Sequence, residues 1–331
     1  MAVDLRVRLG PLELPNPVLV SAGTFGYGME FRRAVRIERL GGVITKTITV
    51  APRQGNPPPR LTETPAGMLN AVGLQNVGLE AFVQEKLPLL RDLPAPVIVS
   101  ILGETIADVE TLCRRLDPQD GIAAIELNLS CPNIQHRSGL RAQGSGQHVP
   151  PPRAQSPELR MVSQDPQATS DMVQAARQST RKPLIAKLSP DVTDPRPIAE
   201  AAQRAGADIL TLVNTFTGMS LDPKTRRSRL GSMTGGVSGP AIRPLAVYRV
   251  WLTRQAVDCP IIGVGGIVRA EHAIEFLLAG ASAVAVGTAT FANPRAAEGV
   301  VRGLERFAQR RGLASISQLV GALESTDAVA S

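Results

Sequence analysis

The fold of this 331-residue chain is indicated first by the stretch Ala123-Ala124-Ile125-Glu126-Leu127-Asn128-Leu129-Ser130-Cys131-Pro132-Asn133. Its apolar opening predicts a short buried strand. The strand ends abruptly in an amide, a thiol and a second amide, and Pro132 stops any continuation. Such groups suit the binding of a polar ring and the movement of a proton. The alternative is that Cys131 is simply a small buried residue, the usual fate of a free cysteine.

Similar apolar runs recur eight times along the chain, separated by helical patterns. The predicted strands are Val18–Ser21, Gly42–Thr45, Val97–Ile101, Ala124–Leu127, Leu184–Lys187, Ile209–Val213, Ile261–Gly263 and Ala283–Gly287. The predicted helices lie near 30–40, 78–92, 105–116, 166–180, 196–205, 241–257, 270–279 and 294–311. Eight alternating units favour an α/β fold in the form of a closed (β/α)8 TIM barrel, here a single domain over residues 1–323.

Connections from helix to strand are short, whereas those leaving strands 2, 4 and 6 are long. The long connections span 46–77, 128–165 and 214–240. Barrel enzymes carry their chemistry on loops at the carboxyl ends of the strands, so this asymmetry indicates an enzyme.

Three further segments lie outside the repeating pattern. We expect the first 15 residues to form a β-hairpin that caps the opposite end of the barrel, and residues 324–331 to be a frayed tail. Residues 136–164 are rich in Pro, Gly, Ser and Gln and predict a flexible insert. This insert either leaves the active face as a mobile loop or is a passive insertion.

Composition excludes several functional classes. The formal charge is +7, but basic residues are spread along the chain and aromatic residues make up only 3%, so we expect an anionic small molecule rather than a nucleic acid. No apolar stretch is long enough for a membrane span and no signal peptide is visible. The three cysteines match no zinc or disulfide pattern, and a cytoplasmic location fits best.

Glycine-rich turns follow the last two predicted strands. They are Gly263-Val264-Gly265-Gly266-Ile267 and Gly287-Thr288. In barrels these positions commonly bind phosphate, because glycine lets backbone N–H groups approach the anion. The pattern predicts a phosphate-bearing cofactor across the barrel mouth, and FMN fits; the alternative is ordinary turn glycine.

Two of only five lysines in the chain, Lys46 and Lys187, end predicted strands. A buried ammonium must pair with negative charge or lose its proton. Lys187 could face the N1–O2 edge of a flavin, form a Schiff base as in aldolases, or make a structural ion pair.

Amide side chains gather on loops predicted to surround the same mouth. They occur in Asn70-Ala71-Val72-Gly73-Leu74-Gln75-Asn76, in Asn214-Thr215, and at Asn128 and Asn133. Each amide offers both a donor and an acceptor, which suits a planar ring with alternating polar atoms. Any single Asn is more often a turn residue. No histidine is well placed, which leaves Cys131 as the candidate for proton transfer.

These motifs, with Thr234-Gly235-Gly236-Val237-Ser238-Gly239-Pro240-Ala241-Ile242, resemble those of the dihydroorotate dehydrogenase family, specifically its class 1B catalytic subunits. The resemblance runs from Asn16 to about Leu323. It implies FMN-dependent oxidation of (S)-dihydroorotate to orotate in pyrimidine biosynthesis. Cys131 would take a proton from C5 while hydride passes from C6 to flavin N5.

The resemblance also implies roles for individual residues. Lys46 would serve catalysis, the flavin and the substrate carboxylate. The pyrimidine would be held by Asn70, Gly73, Leu74, Asn128, Asn133, Asn214 and Thr215. The FMN would contact Ala22, Gly23, Thr47, Ser100, Asn128, Lys187, Val213, Gly239, Gly265, Gly266, Gly287 and Thr288, with Ser100 standing where the family usually has Asn.

Class 1B subunits pass electrons to a partner that carries FAD and an iron–sulfur cluster, with NAD as the final acceptor. The resemblance therefore implies such a partner, and we expect a homodimer, no membrane helix and no resident metal. The loop after Cys131 is longer than is usual in the family. Rival hypotheses are a dihydropyrimidine dehydrogenase-type flavoprotein, a flavin-free aldolase or isomerase using Lys187, and a non-catalytic subunit that keeps FMN to dock a redox partner.

Overall fold

A computed structural model gives the structure of residues 3–129 and 162–324. Eight short strands form a closed, all-parallel barrel. They are β1 (Val18–Val20), β2 (Gly42–Ile44), β3 (Val97–Ile101), β4 (Ala124–Asn128), β5 (Leu184–Lys187), β6 (Ile209–Leu212), β7 (Ile261–Val264) and β8 (Ala283–Val286). Neighbours in sequence are neighbours in the sheet, and β8 pairs with β1 to close it. The predicted barrel is confirmed, with strand bounds correct to within a residue.

Six longer helices pack outside the strands. They are α1 (Ile106–Leu116), α2 (Pro166–Ser179), α3 (Arg196–Arg204), α4 (Arg243–Arg254), α5 (Ala270–Leu278) and α6 (Ala296–Arg311). Local sequence sets their starts. Thr105 caps α1 by accepting from the Asp108 amide at 3.1 Å, while Asp108 accepts from the Thr105 amide at 3.0 Å. Asp165 caps α2, with Pro166 in the first turn.

The helix predicted near 30–40 is wrong. The segment forms two 3₁₀ turns, Met29–Phe31 and Ile37–Arg39. Between them the Arg36 amide donates to the buried Glu298 carboxylate of α6 at 2.9 Å. This tertiary bond occupies an amide that a continuous helix would have used internally, so packing overrides the local helical pattern.

The helix predicted near 78–92 is present but irregular. Short α-helical turns at Leu79–Ala81 and Leu87–Leu90 flank a π-turn at Phe82–Lys86. Pro88 lies just beyond the π-turn and has no N–H to donate to the preceding turn, which disfavours regular α-helix there.

The N-terminal hairpin is present, with Val7–Leu9 antiparallel to Leu12–Leu14. Gly10 at its turn lies against Asp208, which immediately precedes β6. The hairpin therefore covers the amino ends of the strands, as predicted, and leaves the carboxyl ends for the site.

The long connections after β2 and β6 fold together, which the sequence did not indicate. Four short strands form one antiparallel sheet in the order Phe216–Gly218, Gly235–Ser238, Gly67–Asn70 and Leu61–Thr64. We call this sheet the roof, since several of its residues line the cavity at the carboxyl ends of the barrel strands.

Residues 136–161 of the predicted insert lie outside the described residues, and so does the predicted tail after residue 324. The last three residues of the insert, Val162–Gln164, are a 3₁₀ turn rather than flexible chain. Ser163 is buried, and Thr169 of α2 donates to the Val162 carbonyl at 2.9 Å. The packed structure thus resumes earlier than expected.

Candidate active site

A cavity opens at the carboxyl ends of the barrel strands, beneath the roof. It brings together residues from loops that lie far apart in the sequence. The sequence-predicted site residues that line it are Ala22, Gly23, Lys46, Thr47, Asn70, Gly73, Leu74, Asn128, Lys187, Val213, Asn214, Thr215, Gly239, Gly265, Gly266, Gly287 and Thr288.

One side of this cavity is built from backbone. We call it the glycine wall, and it consists of Gly239, Gly265, Gly266 and Gly287. Gly266 has φ +65, and a Cβ there would lie 2.7 Å from the Gly239 carbonyl oxygen. A side chain at this position would therefore be strained and would collide with the opposite loop. The wall suits an anionic group approached by backbone N–H donors.

The other side is built from side chains. We call it the amide wall, and it consists of Asn70, Asn128 and Asn214. Asn70 Nδ2 donates to the Gly236 carbonyl across the roof at 3.1 Å, and Asn214 Nδ2 donates to Asn128 Oδ1 at 3.2 Å. These bonds fix the orientation of the amides, as the recognition of a polar ring requires.

The loop that follows Asn70 is held in an uncommon conformation. Leu74 has φ +54, in the left-handed region that residues with a side chain rarely adopt. Asn76 donates to the Leu74 carbonyl at 2.8 Å and to Thr49 Oγ1 at 2.9 Å. The final amide of the motif is therefore a structural brace, and Gly73 and Leu74 reach the cavity because of it.

Lys46 follows β2, and its amide donates to the Gly26 carbonyl at 2.8 Å. Burial lowers the pKa of Lys46, and the positive charge of Arg60 lowers it further against an opposing effect of Glu30. Arg60 also donates to Gln75 Oε1 at 2.7 Å, so it braces the cavity-lining loop. An anionic ligand would offset the desolvation of the Lys46 ammonium.

Lys187 ends β5 and is almost fully buried. Its Nζ lies 4.0 Å from Oε1 of Glu126, a carboxylate inside the barrel with no solvent exposure. Lys46 and Lys187 are the charged residues among the described cavity lining, and no carboxylate joins them there. The described lining is therefore positive, which favours anionic ligands.

Ser100 does not line the cavity. Its side chain is fully buried, and its Oγ lies 2.9 Å from Thr47 Oγ1, which does line the cavity. Any influence of Ser100 on a ligand would pass through Thr47. The role of Ser100 toward the cofactor stays a prediction.

Cys131 and Asn133 lie outside the described residues, and their roles stay predictions. The other two thiols are poor nucleophiles, because burial raises the pKa of Cys113 to about 12 and that of Cys259 to about 11. His272 is buried on α5 beside Arg243 and does not line the cavity.

Several lining residues were not among the predicted site residues, although some of them stand inside the quoted motifs. They are Ser21, Thr24, Leu61, Met68, Val72, Gln75, Ser238, Pro240, Ile242, Val264, Ile267, Val268, Ala289 and Phe291. Ser238 could have been found within the quoted glycine motif, and Thr288 Oγ1 donates to its Oγ at 2.8 Å. No sequence pattern indicated Leu61 and Met68, because they reach the cavity only through the roof.

The described parts of the chain contain no cluster of three or more His, Cys, Asp or Glu side chains able to hold a metal ion. Nor does any helix within 3–129 or 162–324 have the length and apolarity needed to cross a bilayer.

The family model for dihydroorotate dehydrogenase matches residues 4–308. The chain belongs to the dihydroorotate dehydrogenase family. It is thus an oxidoreductase of a flavin-dependent family, as the motifs predicted.

Relatives in this family match along nearly the whole chain. A protein of Geotalea uraniireducens is 46% identical over 320 residues, covering 97% of this chain and 98% of its own. One from Desulforudis audaxviator is 48% identical over 326 residues, covering 98% and 99%. Another from Pelobacter propionicus is 47% identical over 324 residues, covering 98% and 100%. All three are named dihydroorotate dehydrogenase B (NAD(+)), catalytic subunit.

Proposed function

We propose that this chain oxidises (S)-dihydroorotate to orotate in pyrimidine biosynthesis, using FMN. The observation that carries the proposal is the pairing of a glycine wall with an amide wall across one positively charged cavity. The glycine wall suits a cofactor phosphate and the amide wall suits a polar pyrimidine ring, while Lys46 suits the carboxylate on that ring. Membership of the dihydroorotate dehydrogenase family supports the same reaction.

The residues present fit FMN. The glycine wall offers close backbone approach where a Cβ at Gly266 would meet the opposite loop at 2.7 Å. Gly265, Gly266, Gly287 and Thr288 would hold the phosphate, while Thr47 and Lys187 would lie against the ring system. When bound, FMN supplies the acceptor for the hydride that leaves C6 of the substrate.

The substrate is held, in this proposal, by the amide wall and Lys46. Asn70, Asn128 and Asn214 present donors and acceptors whose orientation is fixed by hydrogen bonds. The Lys46 ammonium faces the substrate carboxylate and recovers part of the cost of its own burial. The roof covers the ring and limits access of water to the reacting carbon.

Proton removal from C5 is assigned to Cys131, which follows Asn128 by three residues in the sequence. Neither Cys113 nor Cys259 can compete, because burial keeps both protonated at neutral pH. The thiolate form of Cys131 is the active base.

The names of these relatives include NAD(+) and the words catalytic subunit. By analogy, we propose that electrons pass from this chain to a partner subunit carrying FAD and an iron–sulfur cluster, and then to NAD. Three cysteines are too few to hold such a cluster in this chain. A homodimeric, cytoplasmic protein completes the proposal.

The decisive experiment is the visible spectrum of the purified protein under anaerobic conditions, before and after addition of dihydroorotate. A flavin spectrum that bleaches with dihydroorotate but not with dihydrouracil is expected. A colourless protein that traps a carbonyl substrate on Lys187 with borohydride would instead favour an aldolase. Bleaching by dihydrouracil alone would favour the dihydropyrimidine dehydrogenase-type alternative.

The role of Cys131 is tested by stopped-flow reduction of the flavin. Cys131→Ser is expected to slow reduction by about 10² or more, with FMN still bound, because a hydroxyl is a far weaker base than a thiolate. The matched control, Cys259→Ser, should leave the rate unchanged. Unchanged single-turnover rates in the Cys131 variant would contradict the assignment and favour a non-catalytic subunit.

A further inference from the structure

A carboxylate lies directly beneath the floor of the cavity. Glu126 is on β4, two residues before Asn128, so both side chains point to the same side of the sheet, into the barrel. Asn128 reaches the cavity, whereas Glu126 stops one layer below it with no solvent exposure. Glu126 is the charged residue of β4, whose other residues are apolar apart from Asn128.

The two oxygens of Glu126 have different surroundings. Oε2 accepts from Thr211 Oγ1 of β6 at 3.2 Å. Oε1 is buried, has no hydrogen-bond partner among the described residues, and lies 4.0 Å from Lys187 Nζ. Lys187 itself sits opposite Asn128 in the β4–β5 register. The carboxylate is thus anchored at one oxygen and aimed at the ammonium with the other.

Burial of an isolated carboxylate is costly, and truncating one partner of a buried pair leaves that cost uncompensated. Lys187 balances Glu126 from above. Conversely, Glu126 is the carboxylate within 4.0 Å of this lysine in the described part of the chain. The pair therefore lets a lysine remain charged at the bottom of a cavity whose described lining holds only positive charges.

We propose that Glu126 is a positioning residue: it is the buried counter-ion that holds the Lys187 ammonium at the cavity floor and so sets how strongly the cavity stabilises negative charge on a bound ring. The link to a flavin ring rests on the proposed function. The pairing of Glu126 with Lys187 does not, and the two parts are tested separately.

The pairing is tested without any ligand by NMR of ¹³Cε-labelled lysine at constant pH. The chain has five lysines, so the spectrum is simple, and Lys187→Met assigns the relevant signal. In Glu126→Gln the Lys187 signal is expected to move further than it does in Thr211→Val, with the Lys46 signal as reference. A Lys187 signal that moves no further in Glu126→Gln than in Thr211→Val would overturn the pairing.

Stability provides a second measure that does not depend on NMR. Lys187→Met should lower Tm by leaving the Glu126 carboxylate unpaired, and Glu126→Gln added to it should recover most of the loss. Thr211→Val is the matched control, since it removes the bond to Oε2 but keeps the charge. If Glu126→Gln lowers Tm equally in both backgrounds, the two residues are independent and the proposal fails.

The effect on a flavin is measured as the midpoint potential of the FMN-loaded protein. Glu126→Gln removes a negative charge from beside Lys187, so reduction to an anionic flavin becomes easier. The two-electron equilibrium constant is expected to rise about tenfold, equivalent to about 30 mV, whereas Thr211→Val stays within about twofold.

A shift as large in Thr211→Val as in Glu126→Gln would show a merely structural effect and overturn the proposal. A wild-type protein that binds no flavin even on reconstitution would instead contradict the proposed function, and the lysine NMR signal and the Tm comparison would still decide the pairing.

Discussion

The glycine wall and the amide wall face each other across one cavity but are constructed differently. The glycine wall offers backbone only, and Gly265, Gly266 and Gly287 follow directly from β7 and β8. In the amide wall, by contrast, Asn70 belongs to the roof and is attached to the barrel through a long connection. In the proposed function, binding of a phosphate would depend on the space between loops, whereas recognition of a ring would depend on the orientation of amides. Damage to one wall should therefore spare the ligand of the other.

The substitution expected to distinguish the functions of the two walls most strongly is Gly266→Val. A β-branched side chain at φ +65, with its Cβ 2.7 Å from the Gly239 carbonyl, both strains the backbone and invades the phosphate space. FMN affinity should fall by about 10² or more, measured by fluorescence titration of the apoprotein.

Gly299→Ala is the control for that substitution. Gly299 lies in α6, and a Cβ there meets nothing within 4 Å. Stability should rise by about 0.5–1 kcal/mol with FMN affinity unchanged. Equal loss of FMN in both variants would contradict a specific role for the glycine wall.

The complementary change is Asn70→Ala in the amide wall. It removes the proposed ring contact and also leaves the Gly236 carbonyl without its 3.1 Å donor, at a cost of about 1–3 kcal/mol. KM for dihydroorotate should rise about tenfold to a hundredfold, while the FMN dissociation constant changes less than about twofold. Asn293→Ala, outside the cavity, is the control. A comparable loss of FMN would mean that the walls are not independent.

A smaller effect concerns the pH dependence of substrate binding beside Lys46. Burial and, after it, the charge of Arg60 lower the pKa of Lys46, so affinity for a carboxylate should fall as pH rises through that lowered pKa. Arg60→Gln raises the pKa of Lys46 and should move the fall to higher pH.

Arg60→Lys distinguishes the effect of the Arg60 charge from its bracing of the cavity-lining loop. The variant keeps the positive charge but loses the bond to Gln75 Oε1. The pH at which the dissociation constant of dihydroorotate begins to rise should stay near the wild-type value. If both variants shift the profile alike, the loop rather than the charge controls it.

The smallest effect is expected where the roof meets the glycine wall. Thr288 Oγ1 donates to Ser238 Oγ at 2.8 Å. Ser238→Ala should weaken FMN binding by only about twofold to fivefold, which corresponds to the loss of one neutral hydrogen bond. Ser232→Ala, whose hydroxyl bonds a backbone carbonyl in the roof turn, is the control and should leave FMN titrations unchanged.

The same contrast explains what sequence reasoning could predict. Every barrel strand and the glycine wall were predicted, because apolar runs and glycine pairs are local signals that the fold uses directly. The roof was missed because its strands, such as Gly67–Asn70 and Gly235–Ser238, are short, rich in glycine and paired across about 170 residues. Local propensity carries no information about such pairing.

Glu126 and Arg36 show a second kind of feature that sequence reasoning could not predict. A carboxylate inside an apolar run was visible, but its partner on β5 was not, because the pairing depends on barrel register. The Arg36 amide bonds a side chain 262 positions away, so no local pattern could warn against the helix predicted there. In both cases a tertiary partner decides the outcome.

The ladder between Gly67–Asn70 and Gly235–Ser238 has one more consequence. Thr215 lies directly under Gly236, where a Cβ would fall 2.0 Å from its hydroxyl, so the ladder as well as the barrel fixes the separation of Asn70 and Thr215. In the proposed function, the width of ring that the site accepts then depends in part on this small sheet. Selectivity for ring size could be redesigned there while all eight barrel strands remain untouched.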